Sequence, residues 1–524
     1  MQSLPVGIQS FEKLRSNNFL YVDKTKEIYR MISESGAYFL SRPRRFGKSL
    51  LISTMHELFA GNKQLFEGLY IYDKWDWSRK YPVIRIDWTM VSHKTPKEIE
   101  ISLKDHLNSL AGMYGITLMS QYAVNCFAEL IEKLHDKTGE RVVVLVDEYD
   151  VPILDIMGKS HEKPENIKTS LHDIYKVLKG SDDHLKFVFL TGVSKFAGLS
   201  VFSAMNNLQD ISLNDDYATI CGITQNELEN YFSEHLDATA DKMNLTGIDL
   251  LDAIRKWYNG YSWNGSISVY NPFSTLLFLK QKVLKNFWFE TGTPTFLIDL
   301  LKKRNNIENF LQPIRAKENI FSSYDPERLE TIPLLFQTGY LTIKDVISED
   351  EELVYTLEPP NQEVRKSFIQ NMFISYTNLT LDKMIKLHED MNRQIKTCDS
   401  KGMEQSLRAM IAQVPHQLHI EKEAYYHSLF LVWLYFMGFK VQGEISTNVG
   451  RIDAVWELPD RTVITEMKYH AERPLEKLLD EAIKQIHDRK YYEAYLDKEV
   501  ILMAIAFSDK EISCRIRQYE LDIN

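Results

Sequence analysis

Gly47, Lys48 and Ser49 close a basic turn, Arg42-Pro43-Arg44-Arg45-Phe46-Gly47-Lys48-Ser49, and residues of these types at this spacing suit phosphate chemistry. The backbone N–H groups of Arg45, Phe46 and Gly47 and the positive end of a following helix would hold phosphate oxygens. Lys48 would reach the β- and γ-phosphates, and the Ser49 hydroxyl would bind Mg²⁺. The pattern G-x-x-x-x-G-K-[ST] is broken at its first position, where Arg42 stands for glycine, so that corner must turn without glycine's backbone freedom. Pro43 is placed to fix it. Taken alone, Gly-Lys-Ser reads equally well as a basic turn capping a helix.

A second set of groups weighs against that plainer reading. About a hundred residues on, the run Val142 to Val146 ends in Asp147-Glu148-Tyr149-Asp150, the order and scale expected of a nucleotide hydrolase. A continuous β-branched run reads as a strand buried on both faces of a parallel sheet, with acids projecting from its carboxyl end into the phosphate crevice. Asp147 would then hold Mg²⁺ and Glu148 would act as general base on the attacking water. Further on, Leu185 to Leu190 ends in Thr191-Gly192-Val193-Ser194. Thr191 first and Ser194 second are placed to hydrogen-bond the γ-phosphate or the water; simple strand termination is the competing reading.

A third grouping lies near the other end of the chain. In Thr462 to Tyr469 the period-two alternation puts Glu466 and Lys468 on one face of a strand, and Asp453 falls on the preceding strand of the same hairpin. Asp453 and Glu466 would supply hard oxygen ligands to Mg²⁺, while Lys468 would orient a nucleophilic water or offset charge in a phosphoryl transition state. Glu423 is a weaker third acid. Glu-x-Lys alone is more often a surface ion pair; the preceding Gly450-Arg451-Ile452 and the helix Leu475 to Tyr495, with Gln485 and Tyr491, turn the reading towards a site.

Around these groups, strands alternate with helices. The strand Val83 to Trp88, helices Pro96 to Tyr114 and Gln121 to Lys137, and helix Asn166 to Lys179 imply right-handed crossovers and a parallel sheet covered on both faces. Asp23 is placed to cap a helix over Lys26 to Ile32. Asn259-Gly260 within aromatics reads as a packed turn. Between Asp325 and Leu357, a helix stopped at Gly339 and two strands linked by Ser348 to Glu352 read as the end of a winged-helix unit, with an acidic tip ill suited to a phosphate backbone. The expected organisation is a nucleotide domain over 1–285, a winged-helix-like and helical connector over 286–400 with a boundary at Thr397 to Gly402, and a last domain over 401–524.

Composition narrows the function classes. A 524-residue chain with 44% apolar and 26% charged residues is globular and too long for one core. Its net charge of -11 argues against coating nucleic acid electrostatically, although it permits a local basic groove. Four cysteines without C-x-x-C spacing suggest neither zinc nor a disulfide framework. The first residues lack a signal-peptide pattern, and the most apolar stretch, Leu429 to Phe439, is short of the roughly 20 residues that span a bilayer. A cytoplasmic protein with no membrane association is expected.

With these motifs assembled, the chain resembles bacterial AAA-ATPase-like proteins that carry a C-terminal domain of the PD-(D/E)xK nuclease superfamily. The resemblance runs through Tyr21 to Thr25, Arg42 to Ser49, Asp147 to Asp150, Trp257 to Tyr261, Asn271 to Ser274, Gln337 to Leu341, Gly450 to Asp453 and Glu466 to Lys468. It implies that Arg42 in place of glycine is a family trait, that ATP and Mg²⁺ are cofactors, and that Asp453 and Glu466 stand where the superfamily places metal ligands. The fold implied is a P-loop parallel-sheet α/β domain, a winged-helix-like region and a restriction-endonuclease-like α/β domain. Two functional readings stand: an ATP-driven, metal-dependent nuclease acting on DNA through its last domain, and a nucleotide-switched regulatory or assembly protein whose nuclease-like domain binds without cutting. Either leaves a homo-oligomer open.

Overall fold

The computed structural model describes residues 1–34, 36–155, 164–195, 205, 207–288, 313–321, 331–377, 381–411, 426–427, 430–431, 433–434, 439–447, 450–458, 460–496, 498–508 and 511–519. Asp325 and Glu423 lie outside them. The chain forms two compact units, one of Met1–Phe296 with Gln312–Arg365, the other containing Lys366–Asn524.

The first unit is built on a parallel sheet of β1 (Gly36–Ser41), β2 (Val83–Asp87), β3 (Val142–Asp147), β4 (Leu185–Gly192) and β5 (Leu208–Asp210), in the order β2-β3-β4-β1-β5. Every residue of β3 is buried, as its unbroken apolar run requires of a strand covered on both faces. Helices Pro96–Met113, Ala123–Thr138 and Pro164–Gly180 make the crossovers. Thr95 caps the first of these through its side chain, with Pro96 in its first turn, the usual start signal of a helix. The order sets β4 between β1 and β3, so the tip of β4 adjoins both the phosphate turn and the acidic strand end. Asp23 accepts from the Thr25 N–H at 2.8 Å at the start of helix Thr25–Glu34, the capping role read from sequence.

The middle region expected as a separate connector is divided between the units. Helix Thr331–Gln337, β7 (Thr342–Glu349) and β8 (Glu352–Glu358) belong to the first, with β6 (Ile314–Lys317) completing a three-stranded sheet β6-β8-β7. Asp350 and Glu351 both have positive φ, 50° and 67°, as a two-residue hairpin turn demands. The acidic tip is partly neutralised within its own sheet, Glu349 pairing with Arg315 at 2.6 Å and Glu352 with Lys317.

Helices Leu381–Lys396 and Ser400–Ile411 belong to the second unit, and residues 397–399 make a short turn between them where a domain boundary was expected. The reason is burial: Met391, Ile395, Met403 and Leu407 share one core with Trp456, Val463 and Met467. The second sheet runs β13-β12-β11-β10-β9, from β9 (Lys440–Thr447), β10 (Gly450–Glu457), β11 (Arg461–Tyr469), β12 (Glu499–Phe507) and β13 (Ile512–Gln518). β11 and β12 pair in parallel, the other neighbours antiparallel. The crossover between β11 and β12 contains helix Leu475–Asp488, whose Leu478, Leu479, Ala482, Ile483 and Ile486 pack on Ile464, Leu502 and Ala504.

Candidate nucleotide and nuclease sites

The turn after β1 gets its shape from residues that face away from any phosphate. Positive φ falls on Arg45 (70°) and Gly47 (94°), not on Arg42, so the position that lacks the pattern's glycine needs none. Arg42 is fully buried and works as a strut. Its guanidinium donates to the carbonyls of Ser41, Ser212 (both 2.8 Å) and Tyr217 (3.1 Å) and lies 4.0 Å from the centre of the Trp263 ring. Burial pulls its pKa down to about 10, still charged at neutral pH. Phe46 is likewise buried, packed edge-on against Tyr261 and Trp263, so only its backbone remains for a phosphate. Arg44 and Arg45 are exposed, with the Arg45 guanidinium 4.8 Å from the Phe273 ring centre.

The rim of this turn is buttressed from within the same unit. A Cβ on Gly339 would come within 2.8 Å of Pro43, and the Trp288 indole donates to the Arg44 carbonyl at 3.1 Å. Gln337 accepts from the Lys195 N–H at 2.9 Å. These long-range contacts had no signal in the sequence beyond the glycine itself.

Lys48 opens helix Lys48–Phe59 and is buried, its ammonium donating to the carbonyls of Arg42 (3.0 Å) and Pro43 (3.2 Å) and lying 3.4 Å from Glu148. Asp147, at the end of β3, is 1% exposed; its Oδ1 accepts from the Thr191 hydroxyl at 2.7 Å, and its Oδ2 is buried with no hydrogen-bond partner. Burial first, and the Glu148 charge second, raise the Asp147 pKa, while the Thr191 and Ser49 hydroxyls and the Lys48 ammonium pull it the other way. A buried carboxylate oxygen without a donor is costly, and a divalent cation beside Ser49 is the kind of partner that would satisfy it. Thr191 therefore reaches Asp147; Ser194 instead donates to Asp150 at 2.7 Å.

An apolar cavity of about 100 Å³ lies against Gly47, Leu50 and Leu51, walled by Tyr21, Val22, Ile220, Ile223 and Leu276. Its place beside the phosphate turn and its apolar walls suit a nucleotide base. Ile220 to Ile223 carried no signal of this role in the sequence.

In the second unit, β10 pairs with β11 from Glu457↔Thr462 to Ala454↔Thr465, and Asp453 and Glu466 are the next residues along the two strands. Asp453 Oδ2 accepts from the Met467 N–H at 2.7 Å, and the Asp453 carbonyl lies 2.7 Å from His427 Nε2. Glu466 is buried, its Oε1 accepting from Lys468 at 2.9 Å and from Gln485 of the crossover helix. Glu466 and Lys468 thus meet on one face of β11, and Asp453 is held at the Met467 N–H between them in sequence; carboxylates of this kind fit Mg²⁺ or Mn²⁺. Among the described residues, no three His, Cys, Asp or Glu side chains come together as a complete metal site.

Against known proteins, residues 5–202 match the family model of a predicted AAA-ATPase, and residues 421–516 match that of the PD-(D/E)XK nuclease superfamily. A protein of Azotobacter chroococcum mcd 1, described as an uncharacterized protein in the vnfD 5'region, is 37% identical over 515 residues, spanning 97% of this chain and 96% of that one. Among the described residues no helix is long and apolar enough to cross a membrane.

Proposed function

The chain belongs to the family of the Azotobacter protein, an AAA-ATPase-like region followed by a PD-(D/E)XK nuclease superfamily domain, and on that premise we propose that it binds and hydrolyses ATP in its first unit and cuts DNA with a metal ion in its second. The observation that carries the ATPase reading is the buried, undonated Oδ2 of Asp147 beside a phosphate turn whose lysine lies 3.4 Å from Glu148. Lys48 would exchange the Arg42 and Pro43 carbonyls for phosphate oxygens and release Glu148. Glu148 would then take a proton from the attacking water, and Ser49 and Asp147 would hold Mg²⁺. When bound, Mg²⁺ neutralises charge on the β- and γ-phosphates.

In the second unit Asp453 and Glu466 would hold the metal, and the Lys468 ammonium would orient water or offset charge on the phosphate. The second reading, a nucleotide-switched assembly protein whose nuclease-like domain binds without cutting, draws on the net charge of -11; the Lys468–Glu466 contact, with Asp453 bonded to the Met467 N–H that lies between those two residues, favours cutting. Nucleotide binding and turnover test the ATPase. Lys48→Ala should lose binding, and Glu148→Gln should bind ATP with Mg²⁺ and not turn it over. Equal ATP affinity in wild type and Lys48→Ala would overturn the assignment.

A further inference from the structure

Glu148 sits in the left-handed region at φ 52°, where a residue with a long side chain is held only if its surroundings over-determine it. The residue before it is fixed: Asp147 accepts from Thr191 through its side chain and from the Trp88 N–H through its carbonyl, at 2.7 and 3.2 Å. The residues after it are fixed more heavily. Tyr149 donates its N–H to the Thr191 carbonyl (2.9 Å) and its hydroxyl to the Ser194 carbonyl (2.7 Å). Asp150, with no solvent exposure, accepts at Oδ2 from the Val193 N–H (3.0 Å), the Ser194 N–H (2.7 Å) and the Ser194 hydroxyl (2.7 Å). Gly192 is what lets the two segments close: a Cβ there would stand 2.5 Å from the Tyr149 ring and 2.7 Å from Asp150 Oδ1.

We propose that Asp150 is a positioning residue for Glu148: its carboxylate fastens the turn after β3 to Val193 and Ser194 beyond β4, and so keeps Glu148 in the left-handed backbone that sets its side chain beside Lys48. The claim rests on the ATPase reading for its kinetic consequence and on geometry alone for its structural one. It assigns Ser194 to the same fastening. The staple joins the base to the strand lying between the phosphate turn and the metal-binding acid, so a shift of β4 would reach Glu148 directly.

The test compares wild type, Asp150→Asn and Ser194→Ala as full-length proteins, by steady-state ATP hydrolysis with Mg²⁺ and by crystal structures without nucleotide. Asp150→Asn keeps the shape and one acceptor oxygen for the two N–H groups and the hydroxyl, but loses the negative charge that strengthens those bonds and puts an NH2 group where Oδ1 stands. It should lower kcat roughly 10- to 100-fold, the scale of an ångström's misplacement of a reacting group, with KM for ATP within about twofold, and Glu148 should leave its left-handed φ. Ser194→Ala removes one donor and should lower kcat by a few-fold, about 3- to 5-fold, which keeps the proposal testable if the first variant folds poorly. Wild-type kcat in both variants, a KM rise that accounts for the whole loss, or Glu148 unmoved in the variant crystals would overturn it. If wild type does not hydrolyse ATP, the ATPase reading falls, while the position of Glu148 in the variant structures still decides this one.

Discussion

The two sites order their carboxylates in different ways. In the first unit, Asp147 and Asp150 are held by Thr191, Val193 and Ser194, over forty residues away on and beyond β4. In the second, Lys468 reaches Glu466 two residues along the same strand, and Asp453 is held by the Met467 N–H across one hairpin. The first site is therefore set by how strands are ordered in the sheet, the second largely by alternation within a hairpin plus one helix residue, Gln485. Damage to β4 should cripple the first and leave the second alone, and damage to the β10–β11 hairpin should do the reverse.

The largest expected effect is on the self-contained site. Asp453→Ala or Lys468→Ala should reduce metal-dependent DNA cleavage by about a thousand-fold or more while ATP hydrolysis stays within about twofold; a parallel fall in both activities would break the comparison. Next comes the strut. Arg42→Gly restores the glycine of the usual phosphate-turn pattern, yet it should destabilise the first unit by about 3 kcal/mol, because it strips the Ser212 and Tyr217 carbonyls of their buried donor and removes the stack on Trp263. Denaturant titration of both proteins checks this, and an Arg42→Gly protein as stable as wild type would show the strut to be dispensable.

A smaller effect, roughly 1–3 kcal/mol, should appear in the pH dependence of stability. Burial first, then the Glu148 charge, raise the Asp150 pKa from 3.8 to about 6, against the pull of Ser194 and Lys48. The folded protein thus holds this proton more tightly than the unfolded chain. The associated stability is fully present below about pH 4 and is lost as pH rises towards 6. Wild type should gain on Asp150→Asn when the two are compared by denaturation at about pH 7.5 and then at about pH 4.5; a constant difference would mean that Asp150 does not titrate in that window. The smallest is Thr191→Val, which takes the hydroxyl from Asp147 and should slow ATP hydrolysis about tenfold with cleavage by the second unit unaffected.

How legible each part was follows the same division. That Lys48 would lie near Glu148 could be read because acids at a strand end come with fixed spacing and a buried run before them, and that Lys468 would lie near Glu466 because period two assigns a face. Arg42 read as a defect in a pattern, when its role depends on carbonyls at 212 and 217 that no local rule brings near. The same holds for Thr191: its place at the tip of β4 was legible, its partner was not, since that depended on β4 lying next to β3. The turn at Thr397 to Gly402 looked like a boundary because polar residues cluster there; the apolar residues on both sides, Ile395 and Met403, enter one core, and core membership decides where a unit ends.

The central claim is that one chain carries two separable activities, and DNA cleavage scored with and without ATP tests it most directly. Full-length wild type, Asp453→Ala and Glu148→Gln would be incubated with supercoiled and linear DNA in Mg²⁺ or Mn²⁺, with ATP hydrolysis followed in the same samples. The account predicts metal-dependent cuts by wild type, none by Asp453→Ala with its ATP hydrolysis intact, and no ATP hydrolysis by Glu148→Gln. Cleavage that survives Asp453→Ala, or wild type that leaves every DNA intact with either metal, would contradict it.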